Sequence, residues 1–335
     1  MDDKSTNEPG EVPVYPPEIV SAYDPNYEPE IVPAEVVMET APGAPWQWQE
    51  VRPPRRRRRW RLPLLLFVAT CLSTVYVQGA GLFEAGYPLA GLWVGLHYAV
   101  PLMTILVCHE MGHFIQAWRY GVYASFPFFI PMPFSPLGTF GAVIAMEPRM
   151  GHRRALFDIG ISGPLAGLVP TFIFLIVGLQ YSSFGVPARD NWLFGDPLVF
   201  RVLEKWILGP TPAGMEVMCH PMAFAGWVGL LVTSLNLMPI GQLDGGHILY
   251  ALLRRKANLV ASLLLLTAIV VVAMNLKLLG GWFLMLILLI LMGPAHPPTA
   301  NDEEPLGWFR AILGWLTLAF IFVGFTPTPI LHIPS

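Results

Sequence analysis

Seven apolar runs follow one another after residue 60, at residues 62–78, 89–118, 156–180, 222–244, 259–276, 282–292 and 306–325. A helix needs roughly 20 apolar residues to cross a bilayer. The pattern therefore predicts an all-α polytopic membrane protein with six to seven transmembrane helices. The run at 89–118 is long enough to tilt or protrude, and that at 282–292 is short enough to lie half-buried or tilted against its neighbours. Between the second and third runs the chain reads Phe126, Pro127, Phe128, Phe129, Ile130, Pro131, Met132, Pro133, then Gly138, Thr139, Phe140, Gly141, Ala142, Val143, Ile144. Prolines at that density forbid a helix, while glycines among β-branched and aromatic residues suit an extended hairpin. Apolar, non-helical backbone must be buried in protein or line a cavity. The segment is therefore expected to form a small re-entrant β-hairpin whose edge, Gly138 to Gly141, takes an unwound substrate by strand addition; the competing expectation is a hydrophobic loop on the membrane surface.

Composition agrees with a membrane class: 54% of the 335 residues are hydrophobic and 13% charged, against about 25% charged in soluble domains, and mean hydropathy is +0.53. The net charge of −3 says little, but its distribution sets an orientation. Eleven acidic residues and one lysine precede Arg52, and seven arginines lie from Arg52 to Arg61. Residues 1–53 read as a disordered, acidic, proline-rich cytosolic arm, and 54–61 as a basic anchor on anionic lipid rather than a nucleic-acid patch. With that arm inside, Arg119, Arg149, Arg153, Arg154, Arg254, Arg255, Lys256 and Arg310 fall on the cytosolic side, and Arg189, Arg201, Lys205 and Lys277 outside. The expected location is the plasma or inner membrane. Cys71, Cys108 and Cys219 are too few and too scattered for a disulfide framework or a thiolate metal site. Cys108 reads as a small buried residue and His220 as an ordinary loop residue.

Candidate chemistry lies within the second run, where His109, Glu110, Met111, Gly112 and His113 read H-E-x-x-H. One helical turn apart, the two imidazoles share a face and can grip one metal ion. Glu110 is turned about 100° around the axis, within reach of a metal-bound water without being a ligand. Ionisable groups in a membrane segment cost about 2.5–3.5 kcal/mol each by insertion scales, so three together require a reason, and one bound cation compensates all three. In the fourth run Pro239, Gly241 and the Gly245-Gly246 pair break the helix beside a buried carboxylate, Asp244. His109 and Asp244 lie at similar depth, about 15 Å below the cytosolic face at 1.5 Å per residue. Asp244 is therefore the preferred third ligand, with His247 its rival and the fourth position left to water. Small residues at Gly160, Gly163 and Gly167 line one face of the third run and allow it to pack closely against the metal helix.

The H-E-x-x-H in one run, the G-P-x-x-G at Gly163 to Gly167 in the next and the N-x-x-P-x-x-x-x-D-G from Asn236 to Gly245 resemble the site-2 protease family of intramembrane zinc metalloproteases, over about residues 89–247. The resemblance implies one zinc ion per chain held by His109, His113 and Asp244, Glu110 as general base, and Asn236 positioning the substrate or its oxyanion. It implies a membrane-embedded protease domain at 62–325 with a short tail at 326–335, and single-span membrane proteins as substrates within the bilayer, with no nucleic-acid partner. Many members of that family carry a PDZ or CBS module, and this chain is expected to have none. Oligomeric state is open. Two other classes use such residues: a metal transporter, which would place them in series along a path, and an inactive membrane-protein-binding relative, which would be expected to lack Glu110.

Overall fold

The computed structural model describes residues 60–146, 152–186, 192–274, 276–299, 301–327 and 330–332. The expected arm at 1–53, most of the basic anchor and Arg149 lie outside the described residues. Among the described residues four helices are long and apolar enough to cross a membrane: α1 (Arg61–Glu84), α2 (Pro88–Arg119), α3 (Arg153–Gln180) and, later in the chain, α7 (Lys256–Met274). The protein is a multi-pass membrane protein, mostly helical. The hairpin between α2 and α3 is present: β1 (Phe128–Met132) pairs antiparallel with β2 (Gly138–Val143), with a register shift between Phe129 and Pro131.

Several expected spans are shorter than the apolar pattern suggested. The run at 222–244 holds one helix, α5 (Pro221–Asn236), and the turn after it, and a further helix, α6 (Asp244–Leu253), starts at its last residue, at the break expected from Pro239 and Gly241. Gly241 takes a left-handed φ of +58° in that turn, and Pro239 lacks the N–H a continuing helix would need. Hydropathy alone runs across this break because most of the turn residues are apolar. The last run divides into α9 (Trp308–Ala319) and α10 (Ile321–Gly324), whereas the short run at 282–292 extends backward into α8 (Leu276–Met292). The 181–221 loop carries β3 (Ser183–Gly185), β4 (Trp192–Phe194), the amphipathic α4 (Leu198–Ile207) and β5 (Glu216–Met218). β3 pairs with β5, and β4 pairs with β6 (Ile330–His332), so the expected tail includes a strand.

In lipid, helices gain little from the hydrophobic effect and associate through close packing of small residues. The central helices do so turn by turn. A Cβ on Gly79 would lie 2.5 Å from the Gly91 carbonyl, and one on Gly95 would lie 2.4 Å from that of Val75, which runs α1 antiparallel to α2. On the α2–α3 seam Gly112 faces Ser162, Gly163 faces His113 and Gly167 faces His109. On the α3–α5 seam Gly178 faces Ala223, Gly226 faces Leu175 and Gly229 faces Thr171. Three antiparallel contacts thus place α3 between α2 and α5. One apolar cluster gathers Tyr98 to Leu106 with Leu175, Leu179 and the first turns of α5; the other gathers Ala117 with Ala155 to Ile161 and Ile248 to Ala251. The metal helix passes from one to the other, and its H-E-x-x-H segment lies between them.

Arg153, at the start of α3, donates to the carbonyls of Ala251 (2.5 Å) and Leu252 (3.1 Å) at the end of α6. The Arg310 guanidinium of α9 grips both oxygens of Asp158 at 2.8 Å. These bonds put the end of α6, the start of α3 and α9 at one end of the bundle. The crowding at Gly178, whose Cβ would meet Ala223 N at 2.1 Å, makes Gly178→Leu an overpacking change of about 1–3 kcal/mol. Thermal unfolding in detergent micelles is expected to show a lower Tm for that variant and little change for Gly81→Leu, since nothing lies within 4 Å of a Cβ built on Gly81.

Candidate metal centre

His109 and His113 lie on the face of α2 turned to α3, and both are buried, 3% and 4% exposed. The tilt of helical side chains toward the N-terminus stacks residues four apart, and their Nε2 atoms stand 3.2 Å from each other. The His113 ring is aimed from behind: its Nδ1–H donates to the Ile159 carbonyl of α3 at 2.8 Å, leaving the lone pair on Nε2. Gly163 makes room for that ring, since a Cβ there would lie 2.0 Å from His113 Nε2. Gly167 does the same for His109, with 3.0 Å to its Cβ.

Asp244 arrives from the other direction as the first residue of α6. Its Oδ2 lies 3.1 Å from His109 Nε2 and its Oδ1 3.2 Å from His113 Nε2. The turn that delivers it tolerates only glycine behind it: a Cβ on Gly245 would meet the Leu237 carbonyl at 1.9 Å, and one on Gly246 the Gly241 carbonyl at 2.2 Å. The positive end of the α6 dipole favours a carboxylate at this position.

The three donors fit a divalent cation. Tetrahedral ligands about 2.0–2.2 Å from zinc stand about 3.3–3.5 Å apart, close to the 3.1–3.2 Å separations here. With Nδ1–H of the neutral His113 ring held by Ile159, Nε2 is the donor atom that faces a carboxylate oxygen and a second imidazole, a donor set suited to a shared cation. Among the described residues, His109, His113 and Asp244 form the one group of three or more metal-ligating side chains with donor atoms this close, within 4.8 Å. His247 is not part of it. Its Nδ1 lies 2.7 Å from His296 Nε2, and the close group of donor atoms is made without it.

Glu110 is 5% exposed on the same helix and makes no hydrogen bond among the described residues, leaving its carboxylate available to a water or substrate. Asn236, the last residue of α5, brings its amide 3.2 Å from His109 Nε2. Four of the expected site residues thus meet at one point with Glu110 beside them. The hairpin positions do not join them in any recorded contact. The Gly138 carbonyl accepts from Ser73 of α1 at 2.7 Å, and Thr139 Oγ1 donates to the Ile130 carbonyl at 2.9 Å. Phe140 faces outward, and Gly141 has a φ of +94°. Cys108 is half-buried rather than buried. His220 accepts from Met222 N at 3.3 Å, capping α5 at the opposite end of the bundle. Sequence reasoning missed the Ile159 carbonyl, which as backbone leaves no mark on composition, and it missed His296.

Residues 97–276, more than half of the chain, match the profile of Peptidase family M50. The chain belongs to that family. Its zinc-binding character agrees with the His-His-Asp set, and zinc is the metal that both imply. Among M50-like relatives, "Probable zinc metalloprotease EGY1, chloroplastic" of Oryza sativa subsp. japonica is 38% identical over 160 residues, 46% of this chain and 27% of the relative. Its Arabidopsis thaliana counterpart is 35% identical over 170 residues, 49% of this chain and 30% of the relative. "Probable zinc metalloprotease EGY2, chloroplastic" of Oryza sativa subsp. indica is 32% identical over 170 residues, 48% of this chain and 30% of the relative. The chain spans less than a third of the length of these curated relatives. No solved structure matches it.

The 2.0 Å approach at Gly163 gives a direct check on this M50 centre. Gly163→Ala is expected to push the His113 ring aside and to lower the zinc content of purified protein by at least about tenfold. Gly81→Ala, on open helix surface, is expected to leave it unchanged.

Proposed function

We propose that this chain is an intramembrane zinc metalloprotease that hydrolyses peptide bonds in or near the spans of single-span membrane proteins. The observation that carries the reading is the meeting of two α2 imidazoles and the α6 carboxylate at 3.1–3.2 Å, with an unengaged carboxylate, Glu110, one residue from the first imidazole. His109, His113 and Asp244 would hold the metal. Bound zinc supplies an acidified water and a Lewis acid for the scissile carbonyl. Glu110 then takes a proton from water at its carboxylate and hands it to the leaving amine. Asn236, with its amide beside His109, orients the substrate carbonyl and stabilises charge on its oxygen.

A helical peptide bond is shielded by its own hydrogen bonds, so substrate must arrive unwound. The hairpin offers an edge for strand addition. Gly138 and Thr139 fix that edge against α1 and β1, and Phe140 and Gly141 present it to the substrate. Water reaches the centre from the end of the bundle marked by Arg153 and Arg310. We place that end in the cytosol, with the arginine block at Arg55 to Arg59, in a plasma or inner membrane. The plant relatives are chloroplastic by name, and that location is theirs. A transporter is disfavoured because, among the described residues, the ligands form one cluster rather than a series. An inactive scaffold is disfavoured because Glu110 is present.

Purified chain in liposomes with a single-span reporter tests the reading. Glu110→Gln is expected to lower cleavage by at least about 100-fold while leaving the zinc content at one ion per chain. Undiminished cleavage by that variant contradicts the mechanism, and zinc flux across the liposome membrane without cleavage would favour transport.

A further inference from the structure

A second pair of buried histidines lies behind the third metal ligand. His247, one turn beyond Asp244 on α6, is 8% exposed, and His296, in the segment after α8, is 7% exposed. His296 lies outside the residues that match the family profile. Its Nδ1 stands 2.6 Å from the Pro297 carbonyl, which can only accept, so Nδ1 carries the proton and Nε2 is the acceptor. The atom facing that acceptor at 2.7 Å is His247 Nδ1, which must therefore donate. One backbone carbonyl thus fixes the tautomer and orientation of both rings.

The His296 segment is itself anchored at several points. Asn258 Oδ1 accepts from His296 N at 3.0 Å, and the Tyr250 ring stacks on the His296 ring with centroids 4.5 Å apart. Tyr250 and Thr299 hydroxyls donate to the two oxygens of Asp302 at 2.7 and 2.6 Å. The same segment touches the turn that delivers Asp244: Gly241 N–H donates to the Pro294 carbonyl at 3.2 Å, and a Cβ on Gly241 would lie 2.5 Å from the Gly293 carbonyl. On its other side the first turn of α6 is pressed against α3, where a Cβ on Gly160 would meet that of His247 at 2.9 Å. The start of α6 is therefore clamped between α3 and the 293–299 segment, and its rotation sets where the Asp244 carboxylate points.

We infer that His296 is a positioning residue for the metal centre, acting through its hydrogen bond with His247 to fix the first turn of α6 and so the Asp244 carboxylate. The inference rests on the metal-centre reading above. Outer partners of this kind alter metal affinity about 10–100-fold when removed, whereas a loop that only adds stability would leave the ligand geometry alone.

Co2+ added to the metal-stripped full-length chain, followed by its ligand-field absorption, distinguishes the two. His296→Ala is expected to weaken Co2+ binding about 10–100-fold and to shift or weaken the tetrahedral bands. His296→Gln supplies a carbonyl oxygen to His247 Nδ1–H and is expected to recover most of the affinity and the spectrum. Asn258→Ala, which frees the His296 backbone, is expected to fall between wild type and His296→Ala, and it carries the test should His296→Ala fail to fold. Wild-type affinity and spectrum in His296→Ala, or in Asn258→Ala where it stands in, overturn the inference, as does a Gln variant as impaired as the alanine one. A wild-type chain that takes up no Co2+ would instead remove the metal centre, and this inference with it.

Discussion

The structure depends on bringing two imidazoles and a carboxylate to a single point inside an apolar helical bundle. Each group alone is unfavourable in such surroundings, and the three turn their donor atoms to one another at 3.1–3.2 Å. A divalent cation at that point would be coordinated by all three. Every nearby departure from regular helix makes sense as a means to that convergence. The break after Asn236 starts a new helix at Asp244, the glycines at Gly163 and Gly167 clear space for the rings, and Ile159 turns its carbonyl to His113.

The same contacts serve packing and chemistry. Because lipid gives helices little reason to associate, α3 is held against α2 through glycine contacts at Gly112, Gly163 and Gly167. Two of those three contacts are with the metal-binding histidines themselves. Any loosening of the α2–α3 seam therefore moves His109 and His113 relative to Asp244, which is carried by a different helix. The 293–299 segment closes the remaining side by pinning the Asp244 turn.

Much of this was legible in the residues. The histidine spacing placed two ligands on one helical face, and depth along the runs singled out Asp244. The prolines and glycines between Phe126 and Ile144 foretold a hairpin, which formed. The break in the run at 222–244 was legible in Pro239 and Gly241, although hydropathy by itself does not register it. His247 was weighed as a ligand because sequence gives proximity along the chain but not the direction of a ring. The partner of its Nδ1, His296, is 49 residues away. The Ile159 carbonyl was invisible for a simpler reason, since every residue has one.

The most direct measurement is zinc K-edge X-ray absorption on purified, lipid-reconstituted chain. The account predicts one zinc per chain in a shell of nitrogen and oxygen at about 2.0–2.2 Å, with the outer scattering of two imidazoles, reduced to one in His113→Ala. A zinc shell containing sulfur, or one unaltered in both His113→Ala and Asp244→Ala, would contradict it.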